Sequence, residues 1–446
     1  MNDENNLDNL KLKQFRVLEK IKKTHTYFKK IKFKDTFDSP IYITRTGETF
    51  GFIYSNFLAS KKVSIFQRLY IVIKNLLSIS YLTKYKLIFD KKFIYQKIII
   101  TWAFKNNFKK NGSFHDRYFN VNSRDTKNTL WFVIFMDQVL PNKIDKNIFL
   151  FQTDIKKKIS LFKIIEVLKN NFKYFFKDIT YFNFMISKHR YLAETLINVF
   201  KKNIRLDLKN VLIPYEGQPF QNYLIKYLRT YKKKIKLTGY IHAPPVPFPS
   251  NYVKKKYSPS KIIVNGKDQI DYFRTLGWKK NETIFMPSNR FTLKKKIFSN
   301  IIFLPIFVKS PENISTSLKL LRDKLSIDIK SFKIKNHPAA NTTKVNIQLI
   351  KEIKSIKSLN TKKKFNNENL SIFIGSTGAI VEALERGYSI IQVTEDPLFD
   401  LYSDKIWKSI HSKRISNNIF SYKLKKKGSL LNLSKKPKSI NSFFNR

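Results

Sequence analysis

Titratable residues follow several short apolar runs, at the positions where strands of a parallel sheet would end. Glu216 lies in the Gly- and Pro-containing loop 214–219, directly after the run Val211–Pro214. His242 closes the segment Gly239–His242. A carboxylate held in such a loop can take the proton of an attacking hydroxyl group, and an imidazole can act as a base or stabilise a phosphate. Each residue is a candidate general base, and the sequence leaves the choice open.

A second group of residues is suited to bind an anion. Pro338 keeps His337 out of the helical region and thereby fixes its imidazole at the end of a predicted strand. Gly375, Ser376 and Thr377 form a small-residue turn between an apolar run and a helical pattern, where backbone N–H groups and hydroxyls can face an anion. His337 and Ser376 are 39 residues apart, about one strand–helix–strand unit, so we expect both at the same edge of one sheet.

Two charged residues complete this candidate site. Glu382 lies one turn into the helix after Ser376 and can cap that helix or accept hydrogen bonds from a ribose. Arg290, after a predicted strand, can pair with a donor phosphate or a sugar carboxylate. Structural alternatives remain for these positions: a solvent-facing glutamate, a packing histidine, a surface arginine and a plain strand–turn–helix.

Strands and helices alternate along most of the chain. The predicted strands are 97–102, 129–135, 211–214, 261–264, 301–304, 332–335, 370–374 and 389–393; the predicted helices are 160–202, 268–276, 312–325, a segment from 345, and 379–386. This alternation favours an α/β fold with doubly wound parallel sheets, whose ligands bind at the carboxyl ends of the strands. Five prolines between 244 and 259 predict a hinge between two such halves.

We therefore expect two Rossmann-like domains facing a cleft, after a mainly helical N-terminal segment. The predicted boundaries are 1–95 for that segment, 96–245 for an acceptor domain, 246–260 for the hinge, 261–420 for a nucleotide-sugar domain and 421–446 for a basic tail. An amphipathic helix over 64–80 is interpreted as core packing, with a membrane-surface face as the alternative. The tail is either a frayed terminus or a polybasic contact to anionic lipid.

Composition excludes several classes of protein. The 446 residues are 42% hydrophobic and 15% aromatic, which excludes a largely disordered chain. The absence of Cys excludes disulfide frameworks and thiolate metal sites. The polar residues 1–10 do not resemble a secretory signal, and no apolar run approaches the roughly 20 residues of a membrane-spanning helix. The expected location is the cytoplasm.

The net charge of +54 has more than one interpretation. Lys, Ile, Asn and Phe are enriched together, which is typical of an AT-rich genome, so the charge is in part a solvated Lys-rich surface. It also favours contact with an anionic membrane face, with anionic substrates or with nucleic acid. The lysine clusters are spread along the chain and no nucleic-acid-binding module is recognisable, so no nucleic-acid partner is expected.

The motifs, taken in order, resemble the GT-B glycosyltransferases with CMP-linked donors, the bacterial sialyltransferases and polysialyltransferases. The resemblance implies that Glu216–Gly217 supplies the base and that His337–Pro338 and Ser376–Thr377 meet the donor phosphate. It also implies that no metal is needed, and the sequence has no carboxylate pair like an Asp-x-Asp metal motif. Tyr215 stands where the sialyltransferase pattern has a second acid, which keeps the base open between Glu216 and His242.

Two further families are similar. The CDP-polyol phosphotransferases of teichoic-acid synthesis share a Gly-x-x-His element like Gly239–His242, together with His-Pro and Ser-rich motifs. A group of bacterial surface carbohydrate biosynthesis proteins resembles this chain over about residues 95–395. The shared motifs in that group are Glu216–Phe220, Gly239–His242, Val264–Gly266, Arg290, His337–Pro338 and Gly375–Glu382.

These resemblances predict a metal-independent glycosyltransferase without a cofactor. Its substrates would be a nucleotide sugar, CMP-linked by the resemblance, and a surface polysaccharide or lipid-linked glycan acceptor; an anionic inner-membrane surface is a further candidate partner. One alternative is a CDP-polyol phosphotransferase, which would make His242 essential and Glu216 less so. The other is a non-catalytic basic protein that binds nucleic acid or membranes.

Overall fold

The structure is a computed structural model. It describes residues 2–27, 66, 69, 70, 73, 95–152, 161–173, 188–203, 207–231, 234–247, 250–294, 298–305, 308, 310–325, 327–337, 344–358 and 369–445. Pro338 and most of the predicted helix 64–80 lie outside these residues. No helix among the described residues is long and apolar enough to cross a membrane.

The strands and helices have the following bounds. The strands are β1 Lys97–Ala103, β2 His115–Asp116, β3 Val121–Asn122, β4 Thr129–Phe135, β5 Ile148–Gln152, β6 Asn210–Pro214, β7 Lys236–Tyr240, β8 Lys261–Val264, β9 Thr283–Phe285, β10 Ser288–Thr292, β11 Ile301–Leu304, β12 Lys333–Asn336, β13 Leu370–Ile374, β14 Ser389–Val393, β15 Ile410–Ser416, β16 Ile419–Leu424 and β17 Leu433–Ser434. The helices are α1 Asn2–Tyr27, α2 Leu161–Asn171, α3 Lys188–Asn203, α4 Pro219–Tyr231, α5 Lys267–Thr275, α6 Pro311–Leu325, α7 Lys344–Ser358, α8 Ala379–Glu385, α9 Pro397–Asp400 and α10 Asn441–Phe444.

Two sheets form the centres of two α/β domains. The first has seven strands in the order β5-β4-β1-β6-β7-β8-β9, and all neighbours are parallel. The second has the order β12-β11-β13-β14-β16-β15; its first four strands are parallel, and β16 is antiparallel to both β14 and β15. Central strands are apolar on both faces, as in β4, where every residue is buried, because helices and loops cover both sides of a parallel sheet. The predicted α/β fold with two Rossmann-like domains is confirmed.

The predicted domain boundary was wrong. Strands β8 and β9 continue the first sheet beyond β7, so the first domain extends to at least Phe285 instead of ending at 245. The Pro-rich stretch 246–260 is a connection between two neighbouring strands of that sheet. Prolines exclude helix and central strand locally, but they do not determine whether the chain then leaves the sheet. The second sheet begins with β11.

The C-terminal segment is not a free tail. Residues 421–446 include the end of β16, the short strand β17 that pairs with β10, and helix α10. Phe443 and Phe444 are buried in the core of the first domain. The Phe443 ring lies 5.2 Å from that of Phe119 and 5.1 Å from that of Tyr240, centroid to centroid. The chain therefore crosses back from the second domain to the first, because this aromatic pair fills a hydrophobic core.

Within the N-terminal segment, the described residues Asn2–Tyr27 form helix α1, which packs on the second domain. Leu7 and Leu18 of α1 are buried, and Gln14 donates a hydrogen bond of 2.8 Å to the carbonyl oxygen of Leu401. The described residues of the predicted helix 64–80 are helical but exposed, with Phe66 at 80%. The prediction that this helix packs in the core is therefore wrong for these described side chains.

Strand order brings the site-bearing loops to defined places. In the first sheet, the chain runs outward from β1 to β4 and β5 on one side, and from β6 to β7, β8 and β9 on the other. In the second sheet, it runs from β11 to β12 on one side and from β13 to β14 on the other. A crevice forms outside the carboxyl ends of such a strand pair, where ligands bind in open α/β sheets. Glu216 follows β6 and Gly375 follows β13. Each domain therefore places one candidate motif at its own crevice.

Candidate active site

The loop that carries Glu216 is held from two sides. The buried side chain of Gln221 accepts hydrogen bonds from the backbone N–H groups of Glu216 and Gln218, both 3.1 Å, and donates one of 2.9 Å to the carbonyl oxygen of Pro214. Asn251 donates through Nδ2 to the carbonyl oxygen of Glu216. Side-chain contacts thus satisfy the backbone of the turn and fix the direction in which the carboxylate leaves it.

The turn requires glycine at position 217. Gly217 has a φ of +67°, in the left-handed region that side chains with a Cβ rarely adopt. A Cβ atom there would also clash with the carbonyl oxygen of Asn251. This close approach brings the Pro-rich connection against the loop and leaves the Glu216 side chain 33% exposed. The Glu216 side chain is therefore held in place and still partly exposed.

Glu216, His242 and Arg290 form a hydrogen-bonded chain. Glu216 Oε1 lies 3.0 Å from His242 Nε2, and His242 Nδ1 lies 2.7 Å from Arg290 Nη1. Gln218 donates to the second carboxylate oxygen at 2.5 Å. Since an arginine only donates, His242 Nδ1 accepts its hydrogen bond and Nε2–H donates to Glu216. Both ring nitrogens of His242 are occupied in this arrangement.

The charges around the chain favour an ionised glutamate beside a neutral histidine. Burial raises the pKa of Glu216, but the hydrogen bonds from His242 and Gln218 and the positive charge of Arg290 outweigh it, so the pKa lies below its ordinary value. Burial is the largest effect that lowers the pKa of His242, and Arg290 lowers it further; the hydrogen bond to Glu216 opposes both without cancelling them. The carboxylate is thus the proton acceptor available at neutral pH.

Sequence reasoning did not identify Tyr118 and Asp116. The Tyr118 ring packs edge-to-face on the His242 ring, 4.4 Å between centroids, and lies 5.4 Å from the Arg290 guanidinium. The fully buried Asp116 holds this tyrosine, because its Oδ1 accepts the backbone N–H groups of Tyr118 at 2.8 Å and Phe119 at 2.7 Å. Its Oδ2 accepts the Thr101 hydroxyl at 2.6 Å. The only sequence signal was the polar character of the loop 111–118.

The second domain brings two of its motifs to the same region. His337, after β12, is half-buried, and burial and the positive charge of Arg290 both lower its pKa. Ser376 is exposed, whereas Thr377 is buried and accepts the Ala379 N–H at 3.3 Å. A Cβ atom at Gly378 would lie 3.2 Å from the Pro244 carbonyl oxygen, two residues after His242. The turn 375–378 therefore packs against the segment that carries His242.

Glu382 has a different environment from the one predicted. It is 2% exposed, and its Oε1 accepts two hydrogen bonds from Arg386, at 3.0 and 3.2 Å. Arg386 also donates to the carbonyl oxygens of Thr292 and Lys294, so the pair fastens α8 to the segment between the two domains. These contacts give the carboxylate a structural role. Helix α8 is only seven residues long.

The structure thus joins Glu216, His242 and Arg290 directly, packs the turn 375–378 against the segment that carries His242, and places His337 within the electrostatic influence of Arg290. Within the part of the chain that the structure describes, no group of three or more His, Asp or Glu side chains is arranged to hold a metal ion. The arrangement offers an accessible carboxylate base on one domain, and a guanidinium, an imidazole and a hydroxyl that can face a phosphate between the domains.

Comparisons with known proteins add a distant structural likeness. No protein-family model matches the sequence. The curated proteins give no match. Among solved structures, an apo structure of OtsA is similar, with a TM-score of 0.33 and 10% sequence identity; the match covers 62% of this chain and 77% of the OtsA chain. A likeness this distant carries no argument about function.

Proposed function

We propose that this protein is a glycosyltransferase that moves a sugar from a nucleotide-activated donor to a glycan or lipid-linked acceptor. The observation that carries the proposal is the hydrogen-bonded chain Glu216–His242–Arg290 at the carboxyl edge of the first sheet, next to the turn 375–378 of the second. One domain offers a base and the other offers phosphate-binding groups. Transfer from a nucleotide sugar needs both at one place.

In the proposed reaction, the Glu216 carboxylate takes the proton of an acceptor hydroxyl. The acceptor oxygen forms a bond to the anomeric carbon of the donor sugar, and the bond between that carbon and the phosphate oxygen breaks. The nucleotide leaves with the bonding electron pair. His242 holds the carboxylate by its Nε2–H, and the exposed third of the Glu216 side chain leaves access for the acceptor.

The leaving phosphate would be bound by groups from both domains. Arg290 is permanently charged and uses Nη1 for His242, so further N–H groups of its guanidinium are available to an anion. The positive charge of Arg290 lowers the pKa of His337, and Ser376 is exposed in the turn that packs beside Pro244. Binding the leaving group lowers the barrier because negative charge develops there in the transition state. The CMP-linked donor and a surface polysaccharide acceptor rest on the sequence resemblance.

Glu216 is preferred over His242 as the base for a geometric reason. His242 is 3% exposed and both of its ring nitrogens are engaged, so it would have to break its contact with Arg290 before it could accept a proton. We therefore assign His242 a positioning role. The CDP-polyol phosphotransferase alternative makes the opposite prediction, since there His242 would be essential and Glu216 dispensable.

The test is calorimetric binding of CMP, CDP, UDP and GDP to the wild-type chain and to His337→Ala with Ser376→Ala. We expect CMP to bind selectively, and the double variant to lose about tenfold or more in affinity, because hydrogen bonds to a charged phosphate contribute about 1.5–3 kcal/mol each. His411→Ala with Ser389→Ala is the matched control, since both side chains are exposed on other strands. The control should bind like wild type.

The outcomes separate the parts of the proposal. Preference for UDP or GDP would contradict the CMP assignment. Absence of nucleotide binding in the wild type would contradict the whole proposal. Once a donor is found, Glu216→Gln should keep nucleotide affinity and lose turnover by about a hundredfold or more. Turnover that survives Glu216→Gln but not His242→Asn would favour the phosphotransferase chemistry.

A further inference from the structure

Large apolar side chains are strongly exposed on α2 and the residue that follows it. Leu161 is 69% exposed, Phe162 85%, Ile165 50% and Phe172 53%. At 100° per residue these four positions fall within one side of the helix, which we call the α2 face. An amphipathic helix of a globular domain normally turns such a side toward the core. Here it faces outward, so burial within the domain does not explain it.

The four described residues between 66 and 73 show the same feature. Phe66, Leu69, Tyr70 and Ile73 are helical and 80%, 43%, 65% and 56% exposed. Their spacing of three, four and seven residues places them on one side of a helix, which we call the 66–73 face. Two sets of described helical residues in different parts of the sequence therefore present aromatic and aliphatic side chains outward. Exposed apolar clusters of this kind mark interaction surfaces.

Charge indicates which partner these faces fit. Lys169 and Lys173, both exposed, flank the α2 face, and the whole chain has 86 Lys and Arg against 32 Asp and Glu, a net charge of +54. Two copies of such a chain repel each other, which opposes a dimer through these faces. An anionic lipid surface attracts the same charge and accepts apolar side chains below its headgroups.

We propose that the α2 face and the 66–73 face dock the protein on an anionic membrane surface. Phe162 and Phe66 would insert at the level of the headgroups while Lys169 and Lys173 contact lipid phosphates. Lysine stems are long enough to keep the charge in the headgroup layer beside an inserted apolar side chain. This attachment lies on the surface of the helix and does not require a membrane-spanning segment. The proposal is independent of the proposed transfer chemistry.

The experiment is co-sedimentation of the full chain with vesicles of phosphatidylcholine, with and without about one quarter phosphatidylglycerol. Binding should require the anionic lipid. Phe162→Ser with Ile165→Ser, and separately Phe66→Ser with Tyr70→Ser, should each weaken binding by about tenfold or more, since each pair removes two inserting side chains. Tyr231→Ser with Leu293→Ser is the matched control, because these side chains are 56% and 54% exposed elsewhere. The control should bind like wild type.

A second measurement reports insertion directly. The Phe162→Trp variant should show a blue shift of the added fluorescence on anionic vesicles and none on neutral vesicles, because the indole moves into a less polar layer. If the serine variants bind vesicles as tightly as the wild type, the proposal is overturned. The same holds if high salt abolishes binding while these variants have no effect, because charge would then act without the faces. A wild-type dimer that the serine variants convert to monomer would also overturn it, in favour of a second copy as the occupant.

Discussion

Asp116→Asn tests how the tyrosine beside His242 is held. Burial raises the pKa of Asp116 from 3.8 to about 6, against the lowering effects of its hydrogen bonds from Thr101 and from the backbone of Phe119 and Tyr118. Between these two values the folded protein binds more protons at this position than the unfolded chain. The free energy of unfolding therefore falls as the pH rises through the window from 3.8 to about 6.

The size of the effect follows from the two pKa values. Their difference corresponds to about 3 kcal/mol over the full range, and about 2 kcal/mol of it falls between about pH 4.5 and about pH 7.5. Asparagine does not ionise, and its amide can still accept the two backbone N–H groups and donate to the Thr101 hydroxyl. Relative to wild type, Asp116→Asn should therefore gain about 2 kcal/mol in unfolding free energy across this pH interval.

The assay is denaturant unfolding at a series of pH values, followed by tryptophan fluorescence. Three of the four tryptophans, Trp102, Trp131 and Trp278, lie in the first domain, so the signal is dominated by the domain that contains Asp116. Asp125→Asn, exposed in the same connection, is the control and should keep the wild-type pH dependence. Parallel pH profiles for wild type and Asp116→Asn would refute the reasoning, because the carboxyl would then not be desolvated.

Three further substitutions probe the site and the crossing C-terminus. Gly217→Ala should lower the free energy of unfolding, measured by chemical denaturation, by more than Gly277→Ala does. Both glycines have a positive φ, but a Cβ atom at 217 would clash with a carbonyl oxygen, whereas one at 277 would meet its nearest atom at 3.7 Å. Equal losses would argue against the close approach at Gly217. Arg290→Gln should raise the pKa of His242, since the substitution removes a positive charge that lowers this pKa. NMR titration of the six histidine side chains would measure the shift. A lower pKa of His242 in the variant would contradict the contact with Arg290. Phe443→Ala should cost about 3–5 kcal/mol of unfolding free energy, measured by denaturant unfolding, because the ring is fully buried; a cost below about 1 kcal/mol would mean that the C-terminus is not part of the core.

The local structure was largely determined by the sequence. The run Thr129–Phe135 forms β4, and the helix predicted over 268–276 is α5, which ends before Gly277 with its φ of +92°. These predictions succeed because apolar periodicity and glycine at a helix end act over a few residues. The 39-residue spacing of His337 and Ser376 also placed both at the ends of strands of one sheet, β12 and β13, since the carboxyl ends of parallel strands share one edge.

Only the tertiary structure decided which strands share a sheet and which side chains touch. Strand β8 follows the prolines but pairs with β7, and the C-terminal Phe443 enters the core of the first domain. The contact between Arg290 and His242, 48 positions earlier in the chain, was likewise not predicted from the sequence. Such contacts depend on how whole helices and strands pack against one another. The pattern of residues that are neighbours in the sequence does not determine this packing. The same holds for the outward α2 face, because an apolar stripe on a helix is the same in sequence whether a core or a partner covers it.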